Sequence, residues 1–351
     1  MTRPKIILDP HWRRLDELFA PDVLDALQSE FDVVWGKNDA MPKDDYARAL
    51  PDAMAVISST PEITRDTLET AKKLKVVIEV SGSFPDTIDY EACQSAKVEV
   101  LTCAPGFRQS VAEMGLAMAL AGGRGLVWEH EAFRKGEESW LDDREDRDFT
   151  LFGAPVGFVG FGQIAQEIQR LMAPFSPKTK VFDPWLPDAV AAQHGVEKCG
   201  LSELAQQSKC LFVTAVPTSE NYNLIGADIL GRLPDNALVV GLSRAHLIDM
   251  DALEQEVRSG RIRAALDVFD TEPVADDATW RRLDGAILSP HRAAAVKGGR
   301  QLIGQMVLED LRRVAAGETP KSLGRADPAK IKSLAGVGDA ASVASMAVER
   351  S

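Results

Sequence analysis

The fold is decided by residues 154–165, which read APVGFVGFGQIA. The first six residues are small or apolar, as in a buried strand, and a pattern at helical spacing begins at residue 163. The glycines at 160 and 162 therefore stand at a strand-to-helix turn. Gly160 would permit the tight turn, Gly162 would let the backbone approach a pyrophosphate, and Ala165 is small enough for the helix to pack closely on the strand.

An acidic residue follows at the distance that a dinucleotide-binding turn requires. Asp183 ends the next predicted strand, about 20 residues after Gly162, and its carboxylate could accept hydrogen bonds from ribose hydroxyls. No Arg or Lys occurs in residues 183–190 to bind a 2′-phosphate. The N–H groups of Gln163 and Ile164 would face the pyrophosphate. The pattern predicts a domain that binds NAD rather than NADP; the alternative is a glycine turn in an unrelated α/β protein.

Composition and charge narrow the class of protein. The 351 residues carry a formal net charge of −13, which argues against nucleic acid or an anionic membrane as the main partner. The four cysteines show no CxxC spacing, which favours a reducing compartment. The first residues lack the apolar segment of a signal peptide. The most apolar stretch, 111–128, contains Glu113 and Arg124 and is expected to be a buried helix. We therefore expect a soluble, cytoplasmic protein.

On both sides of the glycine turn, short β-branched runs alternate with amphipathic segments, which is typical of parallel α/β sheets. Helices are predicted at 11–30, 64–74 (with Thr64 as N-cap), 110–126, 163–173, 249–259 and 299–316. Strands are predicted at 5–8, 32–35, 53–58, 76–81, 98–101, 155–159, 180–183, 210–215, 237–241, 263–267 and 286–288. The charged stretch 129–148 is expected to be a solvated loop or a partner-facing or domain-bridging arm. The tail 317–351 is expected to be loosely ordered or to lie over the body of the protein.

Hydride transfer to a 2-keto acid needs a cation for the carboxylate, an acid for the carbonyl oxygen, and a group that keeps this acid charged. Histidine suits the acid, because its unperturbed pKa lies near working pH. Of the five histidines, His246 and His291 each come just after a predicted strand.

Three motifs here resemble one family. Residues 238–244 read LVVGLSR, residues 264–273 read AALDVFDTEP, and residues 288–291 read LSPH. Together they are similar to the three signatures of the D-isomer-specific 2-hydroxyacid dehydrogenases, in the family's order and approximate spacing, and the resemblance extends over residues 5–316. By that resemblance Arg244 binds the substrate carboxylate and carbonyl, His291 is the general acid and base, and Glu272 pairs with His291.

The resemblance also implies a fold and a cofactor site. It implies two doubly wound parallel-sheet domains with a cleft between them: a flavodoxin-like substrate-binding domain (1–108 and 296–351) and a Rossmann NAD-binding domain (109–295). Asp267 should contact the nicotinamide carboxamide. The turn that contains Asn221 is one residue shorter than the family's. The remaining cofactor-lining residues implied are Leu242, Ser243, Val216, Pro217 and Asn221.

In this family a glycine-rich loop of the first domain offers backbone N–H groups to the substrate. Here residues 81–89 read SGSFPDTID, with Phe84 in place of a usual glycine, so the implied substrate contacts are the amides of Ser83 and Phe84. Phosphoglycerate-type members tend to carry an arginine where this chain has Ser58, which argues against a phosphorylated substrate. Arg292 is either a contact to an anionic substrate or a solvent-facing cation.

These features predict NAD-linked interconversion of a 2-keto acid and its D-2-hydroxy acid, with no metal. The alternatives are an NADH-sensing binding protein like the family's co-repressors, or a sister dehydrogenase that acts on formate or phosphite. The resemblance further implies a homodimer in which residues 129–148 belong to the interface.

Overall fold

The computed structural model describes residues 3–141 and 147–331. The chain divides into two compact units, Met1–Arg108 with Ala295–Ser351 (unit 1) and Gln109–Ala294 (unit 2). Each unit contains one sheet whose neighbouring strands are parallel, apart from one short antiparallel edge strand in unit 1. The predicted fold class, two doubly wound α/β domains, is confirmed.

The strands begin and end close to the predicted positions. In chain order they are β1 (Lys5–Asp9), β2 (Asp32–Trp35), β3 (Ala55–Ser58), β4 (Val76–Glu79), β5 (Glu99–Thr102), β6 (Pro155–Val159), β7 (Lys178–Phe182), β8 (Glu197–Lys198), β9 (Cys210–Val213), β10 (Leu238–Gly241), β11 (Arg263–Leu266), β12 (Ala286–Leu288) and β13 (Gly324–Arg325). The short edge strands β8 and β13 carry too few residues to show a periodic pattern, and the sequence did not predict them.

The α-helices lie between the strands, except for the last, which follows β13. In chain order they are α1 (Leu15–Leu18), α2 (Pro21–Glu30), α3 (Lys43–Ala49), α4 (Arg65–Thr70), α5 (Tyr90–Ser95), α6 (Arg108–Gly123), α7 (Leu126–Lys135), α8 (Gln163–Met172), α9 (Asp188–Gln193), α10 (Leu201–Gln207), α11 (Ala227–Leu230), α12 (Met250–Arg258), α13 (Gln301–Ala315) and α14 (Pro328–Ile331).

In unit 1 the strand order is β13-β5-β4-β3-β1-β2. Its five parallel strands thus follow the order of flavodoxin-like folds. In these folds the connections after β1 and β3 run toward opposite edges of the sheet. Successive residues of β1 pack into different cores: Ile6 and Leu8 contact one apolar cluster, and Ile7 contacts another. Helices therefore cover both faces of the sheet.

In unit 2 the order is β12-β11-β10-β9-β6-β7-β8, and every pair is parallel. This is the order of the Rossmann fold, in which the connections after β6 and β9 run toward opposite edges of the sheet. Ligands of such folds bind at the carboxyl ends of the strands, beside this point. The loops after β6, β7, β9, β10, β11 and β12, which carry the predicted site residues, all leave the sheet at that edge.

Three sequence predictions need correction. The single helix predicted at 11–30 is two helices, because Pro21 lacks the N–H that a continuous helix needs and instead begins α2. The helix predicted at 110–126 ends at Gly123, and α7 occupies the start of the charged stretch, which is therefore not simply a loop. The described part of the tail lies against the unit 1 sheet, where β13 pairs with β5, and is not loosely ordered. Residues 332–351 of the tail, and residues 142–146, lie outside the described part.

The predicted cap at Thr64 is confirmed, and the structure shows a second side-chain cap at Asp249. The side chain of Thr64 accepts a hydrogen bond from the N–H of Thr67 at the start of α4, and Thr67 returns the contact to form a capping box. Asp249 accepts the N–H of Ala252 and so caps α12.

Candidate active site

The glycine turn follows β6 and is held against the loop after β9. Gly160 has φ +82°, and a Cβ there would lie 2.4 Å from the Cα of Ala215, so no larger residue fits. The hydroxyl of Thr214 donates to the carbonyl of Gly160 at 2.8 Å. Gly162 is the N-cap of α8, and a Cβ there would meet no atom within 4 Å. The space beside Gly162 is therefore open at the point where α8 begins with Gln163 and Ile164, whose N–H groups were predicted to face a pyrophosphate.

Asp183 lies directly after β7 and beside this turn. Its Oδ2 accepts the N–H of Phe161 at 2.8 Å, and its Oδ1 accepts the N–H of Trp185 at 3.0 Å. The carboxylate is therefore fixed next to the glycine turn. Because each carboxylate oxygen can accept a second hydrogen bond, ribose hydroxyls could still bind.

The loop after β9 carries Val216, Pro217 and Asn221. The side chain of Val216 is exposed, and that of Pro217 is half-buried. Asn221 is buried: its Nδ2 donates to the carbonyl of Val216 at 2.9 Å, and its Oδ1 accepts the N–H of Thr218 at 2.7 Å. The amide of Asn221 therefore shapes the loop rather than projecting from it.

The loop after β10 carries Leu242, Ser243 and Arg244. Leu242 is buried, and the hydroxyl of Ser243 donates to the carbonyl of Val213 at 3.3 Å. Arg244 is exposed, with extended backbone (φ −149°, ψ 145°), and its Nη1 donates to the carbonyl of Ser243 at 2.8 Å. The rest of its guanidinium can meet a carboxylate.

The structure brings Glu272 and His291 together. Glu272 Oε2 lies 2.6 Å from Nδ1 of His291, and Glu272 Oε1 accepts the N–H of Phe269 at 2.9 Å. Burial raises the pKa of Glu272, but the contact with His291, the charges of His291 and Arg244, and the Phe269 amide together bring that pKa below its ordinary value. Glu272 is thus an ionised partner that fixes one nitrogen of the His291 ring.

Asp267 has a role that the sequence did not reveal. This buried residue follows β11, and its Oδ1 accepts the hydroxyl of Ser289 at 2.6 Å and the N–H of Arg292 at 2.7 Å. Its Oδ2 accepts the N–H of Ala293 at 2.9 Å. These bonds hold the residues on both sides of His291, whose φ of +51° lies in the left-handed region. Asp267 therefore fixes the loop that presents His291.

In unit 1 the predicted substrate loop is arranged differently from the expectation. The N–H of Ser83 donates to Glu79 Oε2 at 2.9 Å, so it is not free for a substrate, which corrects that part of the prediction. Glu79 also accepts the N–H groups of Ser81 and Gly82. The Phe84 amide has no acceptor within residues 3–141 and 147–331, and its ring contacts that of Tyr90 with centroids 6.2 Å apart.

The described residues hold neither a cluster suited to a metal ion nor a membrane-spanning helix. Within the described ranges, no three His, Cys, Asp or Glu side chains are grouped so that they could hold a metal ion. The same part of the chain contains no helix with the length and apolar character that crossing a bilayer requires. The four cysteines are free thiols.

Comparison with known proteins gives a family match. Residues 116–293, about half of the chain, match the family described as "D-isomer specific 2-hydroxyacid dehydrogenase, NAD binding domain". This match includes the glycine turn and the Arg244, Glu272 and His291 positions, and it confirms the prediction of NAD.

Relatives along the chain agree with this match. D-3-phosphoglycerate dehydrogenase of Methanocaldococcus jannaschii is 30% identical over 81% of this chain and 54% of its own length. Hydroxypyruvate reductase of Thermotoga maritima is 27% identical over 77% of this chain and 88% of its own. The crystal structure of a phosphoglycerate oxidoreductase from Rhizobium etli has a TM-score of 0.82 and 32% identity, and the match covers 93% of this chain and 99% of that one. The chain spans about half the length of the phosphoglycerate dehydrogenases that it matches.

Proposed function

Since this chain belongs to the D-isomer-specific 2-hydroxyacid dehydrogenase family, we propose that it interconverts a 2-keto acid and the corresponding D-2-hydroxy acid, with NAD as cofactor. The observation that carries this proposal is the 2.6 Å contact between His291 Nδ1 and Glu272 Oε2, with the charge of Arg244 acting on the same carboxylate. An acid, the group that keeps it charged and a cation are the three parts that this chemistry needs.

Bound NADH would supply the hydride in reduction, and bound NAD⁺ would accept it in oxidation. The residues that would hold it are at the carboxyl edge of the unit 2 sheet. The first turn of α8 would receive the pyrophosphate, and Asp183 the ribose hydroxyls. The loops after β9 and β10 would line the rest of the cofactor, through Val216, Pro217, Leu242 and Ser243.

His291 moves the proton. Its Nδ1 is engaged by Glu272, which leaves Nε2 as the ring atom that can exchange a proton with the substrate. In reduction, as C2 of the keto acid gains a hydride, Nε2 gives its proton to the carbonyl oxygen and the ring becomes neutral. In oxidation, Nε2 takes the hydroxyl proton and Glu272 stabilises the charged ring. Asp267 keeps the loop in place during both directions.

Arg244 orients the substrate. A guanidinium presents parallel N–H groups that match a carboxylate, and one of them can also polarise the adjacent carbonyl oxygen. From unit 1 we propose two further substrate contacts, the hydroxyl of Ser83 and the free amide of Phe84. The role of unit 1 in binding substrate and of unit 2 in binding NAD is part of this proposal.

The test is NADH oxidation with a panel of 2-keto acids, followed by chiral analysis of the product. We expect a D-2-hydroxy acid, and His291→Ala should lower kcat by about 10³-fold, within the range for loss of a general acid. NADH binding, measured by fluorescence, should be unchanged in that variant. A protein that binds NADH, turns over no acid on the panel and behaves identically with Ala at 291 would instead be an NADH-sensing protein.

We also propose a homodimer formed through α7 and the residues after it. This segment exposes Phe133 and Trp140, whose side chains are 59% and 77% accessible and whose rings contact each other with centroids 6.4 Å apart. Large apolar side chains exposed together favour burial against a second copy. Light scattering at micromolar concentration should give a dimer, and Trp140→Glu should shift it toward monomer. A monomeric wild-type protein would contradict this proposal.

A further inference from the structure

His246 follows β10, two residues after Arg244, and the proposed function does not use it. Its half-buried ring reaches the loop after the neighbouring strand β9, where Nε2 lies 2.9 Å from the carbonyl oxygen of Thr218. Because a carbonyl oxygen can only accept, Nε2 carries the hydrogen and donates it. His246 thus joins the loop that carries Arg244 to the loop that carries Val216 and Pro217.

Residues 216–221 form the tip of the loop after β9. Among the described residues, the hydrogen bonds of this tip stay within the loop, apart from the one that His246 donates. The side chain of Asn221 bonds to the backbone of Val216 and Thr218, and its N–H donates to the carbonyl of Thr218 at 3.2 Å. These internal bonds define the shape of the tip, and the bond from His246 fixes the tip to the loop after β10.

The base of the same loop is held by backbone pairing with the segment of His246. The N–H of Asn223 donates to the carbonyl of His246 at 2.9 Å, and the N–H of Ile225 donates to the carbonyl of Leu247 at 2.9 Å. Asn223 has a φ of +51°, a left-handed conformation that asparagine adopts more readily than most residues. The pairing thus ends at this turn, and the tip that precedes it depends on the ring of His246 for its position.

The ring of His246 is itself held in place by a neighbouring aromatic side chain. The ring of Tyr222 packs against it edge-on, with centroids 5.0 Å apart and an interplanar angle of 66°. Tyr222 is 68% exposed, so it adds little to the apolar core of unit 2. Edge-on aromatic pairs stabilise each other beyond the area that they bury. Tyr222 therefore orients the imidazole toward the carbonyl of Thr218.

These contacts distinguish the two histidines that follow strands of unit 2. In His291 it is Nδ1 that is engaged, by the carboxylate of Glu272, which leaves Nε2 for a substrate. In His246 it is Nε2 that is engaged, by the neutral carbonyl of Thr218. A histidine bonded in this way can hold a backbone segment and is poorly placed to exchange a proton with a substrate. His246 therefore has a different task from His291.

We propose that His246 is a positioning residue for the cofactor: its Nε2–H holds the tip of the loop after β9 in the shape that receives NADH. This inference rests on the proposed function, which assigns Val216 and Pro217 of that tip to the cofactor. A tip without this bond must be ordered when NADH binds, and the cost of ordering a loop lowers the affinity of its ligand. His246 acts on the cofactor through Thr218 and takes no part in the chemistry.

The test compares NADH dissociation constants, measured by fluorescence, for variants of this contact. His246→Leu keeps a bulky side chain and removes the donor, so its dissociation constant should rise by about tenfold, the scale of one lost hydrogen bond. His246→Gln places an amide NH₂ near the position of Nε2 and should stay within about threefold of wild type. Tyr222→Ala removes the ring that orients the imidazole and should raise the dissociation constant by about threefold, the scale of one aromatic pair.

The matched control is Gln255→Leu, which introduces the same side chain at an exposed position of α12 and should bind NADH as the wild type does. At saturating NADH, kcat of both His246 variants should stay within about threefold of wild type, because a positioning residue for the cofactor acts on binding. Urea denaturation of each variant separates this role from a merely structural one. A structural histidine would lower the free energy of unfolding on substitution and leave the NADH dissociation constant unchanged.

NADH binding separates this inference from the proposed function, because it requires no turnover. Weaker binding in His246→Leu that is restored in His246→Gln, by a protein that reduces no 2-keto acid, would refute the proposed function and keep the role of His246. Normal reduction of 2-keto acids, with NADH affinity unchanged in both variants or lowered equally in both, would do the reverse. A fall in kcat of His246→Leu as large as that of His291→Ala would also overturn the inference, since His246 would then belong to the chemistry.

Discussion

Asp267 in unit 2 and Glu79 in unit 1 are both buried carboxylates at the carboxyl edge of a parallel sheet, and both accept backbone N–H groups from a loop. They differ in what the loop can then offer. Asp267 accepts the amides on one side of His291 and leaves that side chain directed at Glu272. Glu79 accepts the amides of Ser81, Gly82 and Ser83, and of these the sequence had assigned the Ser83 amide to a ligand.

The difference shows that a buried carboxylate that accepts backbone N–H groups can support two kinds of loop. Where the buried carboxylate anchors the backbone beside a titratable side chain, the loop provides catalytic chemistry. Where the buried carboxylate accepts the loop's own N–H groups, those groups are no longer available to a ligand. The comparison predicts that removing the two carboxylates affects different measurements.

Among the carboxylate substitutions, Asp267→Asn is expected to have the largest effect on kcat. The amide would turn an NH₂ group toward the N–H of Arg292 or Ala293, so the loop should shift and misplace His291. A displacement of this kind costs about 100-fold in rate. We expect kcat to fall by that factor while the NADH dissociation constant changes little. The control is Asp270→Asn, an exposed acid three residues on. If NADH affinity falls and kcat does not, Asp267 contacts the nicotinamide, as the resemblance implied, and does not act through the loop.

The sequence predicted what depends on neighbours along the chain. The glycine turn, the order of strands and helices, and the positions of Arg244, Glu272 and His291 all follow from local periodicity or from short motifs. Even the error in the first helix had a local signal, since Pro21 marks a helix start. These features could be predicted because a hydrophobic period of two or 3.6 residues can be recognised in a short stretch of sequence. A glycine such as Gly160, which adopts a backbone conformation that favours glycine, can be recognised in the same way.

The partners of Glu79, Arg300 and Asn221 could not be predicted, because folding brings them together from distant parts of the chain or fixes them through the shape of a turn. Arg300 meets Glu17, 283 residues away, and only the folded chain shows this contact. Asn221 was expected to line the cofactor. In the folded turn its side-chain amide instead forms hydrogen bonds with the backbone of the same turn. A buried polar atom cannot be recognised as unpaired until every possible partner has been placed.

The second prediction concerns Glu79→Gln. The NH₂ group of the new side chain would face N–H groups of the loop, so that two donors meet without an acceptor. Such a buried mismatch lowers the free energy of unfolding by about 2 kcal/mol, roughly 30-fold in the unfolding equilibrium. Urea denaturation should show this loss, whereas kcat with glyoxylate should stay within about threefold of wild type. Glu62→Gln, at an exposed position of the same unit, is the control. A fall in kcat as large as that of Asp267→Asn would show that both carboxylates position loops on which catalysis depends.

Asp183 offers a smaller effect on the cofactor. Asp183→Ala removes both the charge that would repel a 2′-phosphate and the acceptor for the N–H of Phe161. We expect the preference for NADH over NADPH, measured as a ratio of kcat/KM values, to fall by about tenfold, equivalent to ~1.4 kcal/mol. Asp183→Asn keeps an acceptor and loses the charge, so it separates the two roles. Unchanged selectivity in both variants would show that Asp183 is not the ribose ligand.

The smallest effect is on stability against pH, and here Glu79 and Glu272 should have opposite signs. The pKa of Glu272 is lowered, so its stabilisation is complete above its ordinary value of 4.5 and is lost as the pH falls through its folded pKa. Burial raises the pKa of Glu79, so its contribution is complete below 4.5 and is lost as the pH rises through its folded pKa. Unfolding free energies by urea between about pH 3 and 8 should therefore rise less steeply with pH in Glu272→Gln and fall less steeply in Glu79→Gln. Equal changes in slope would mean that the two carboxylates titrate alike, and the distinction between the two sheet edges would not extend to their electrostatics.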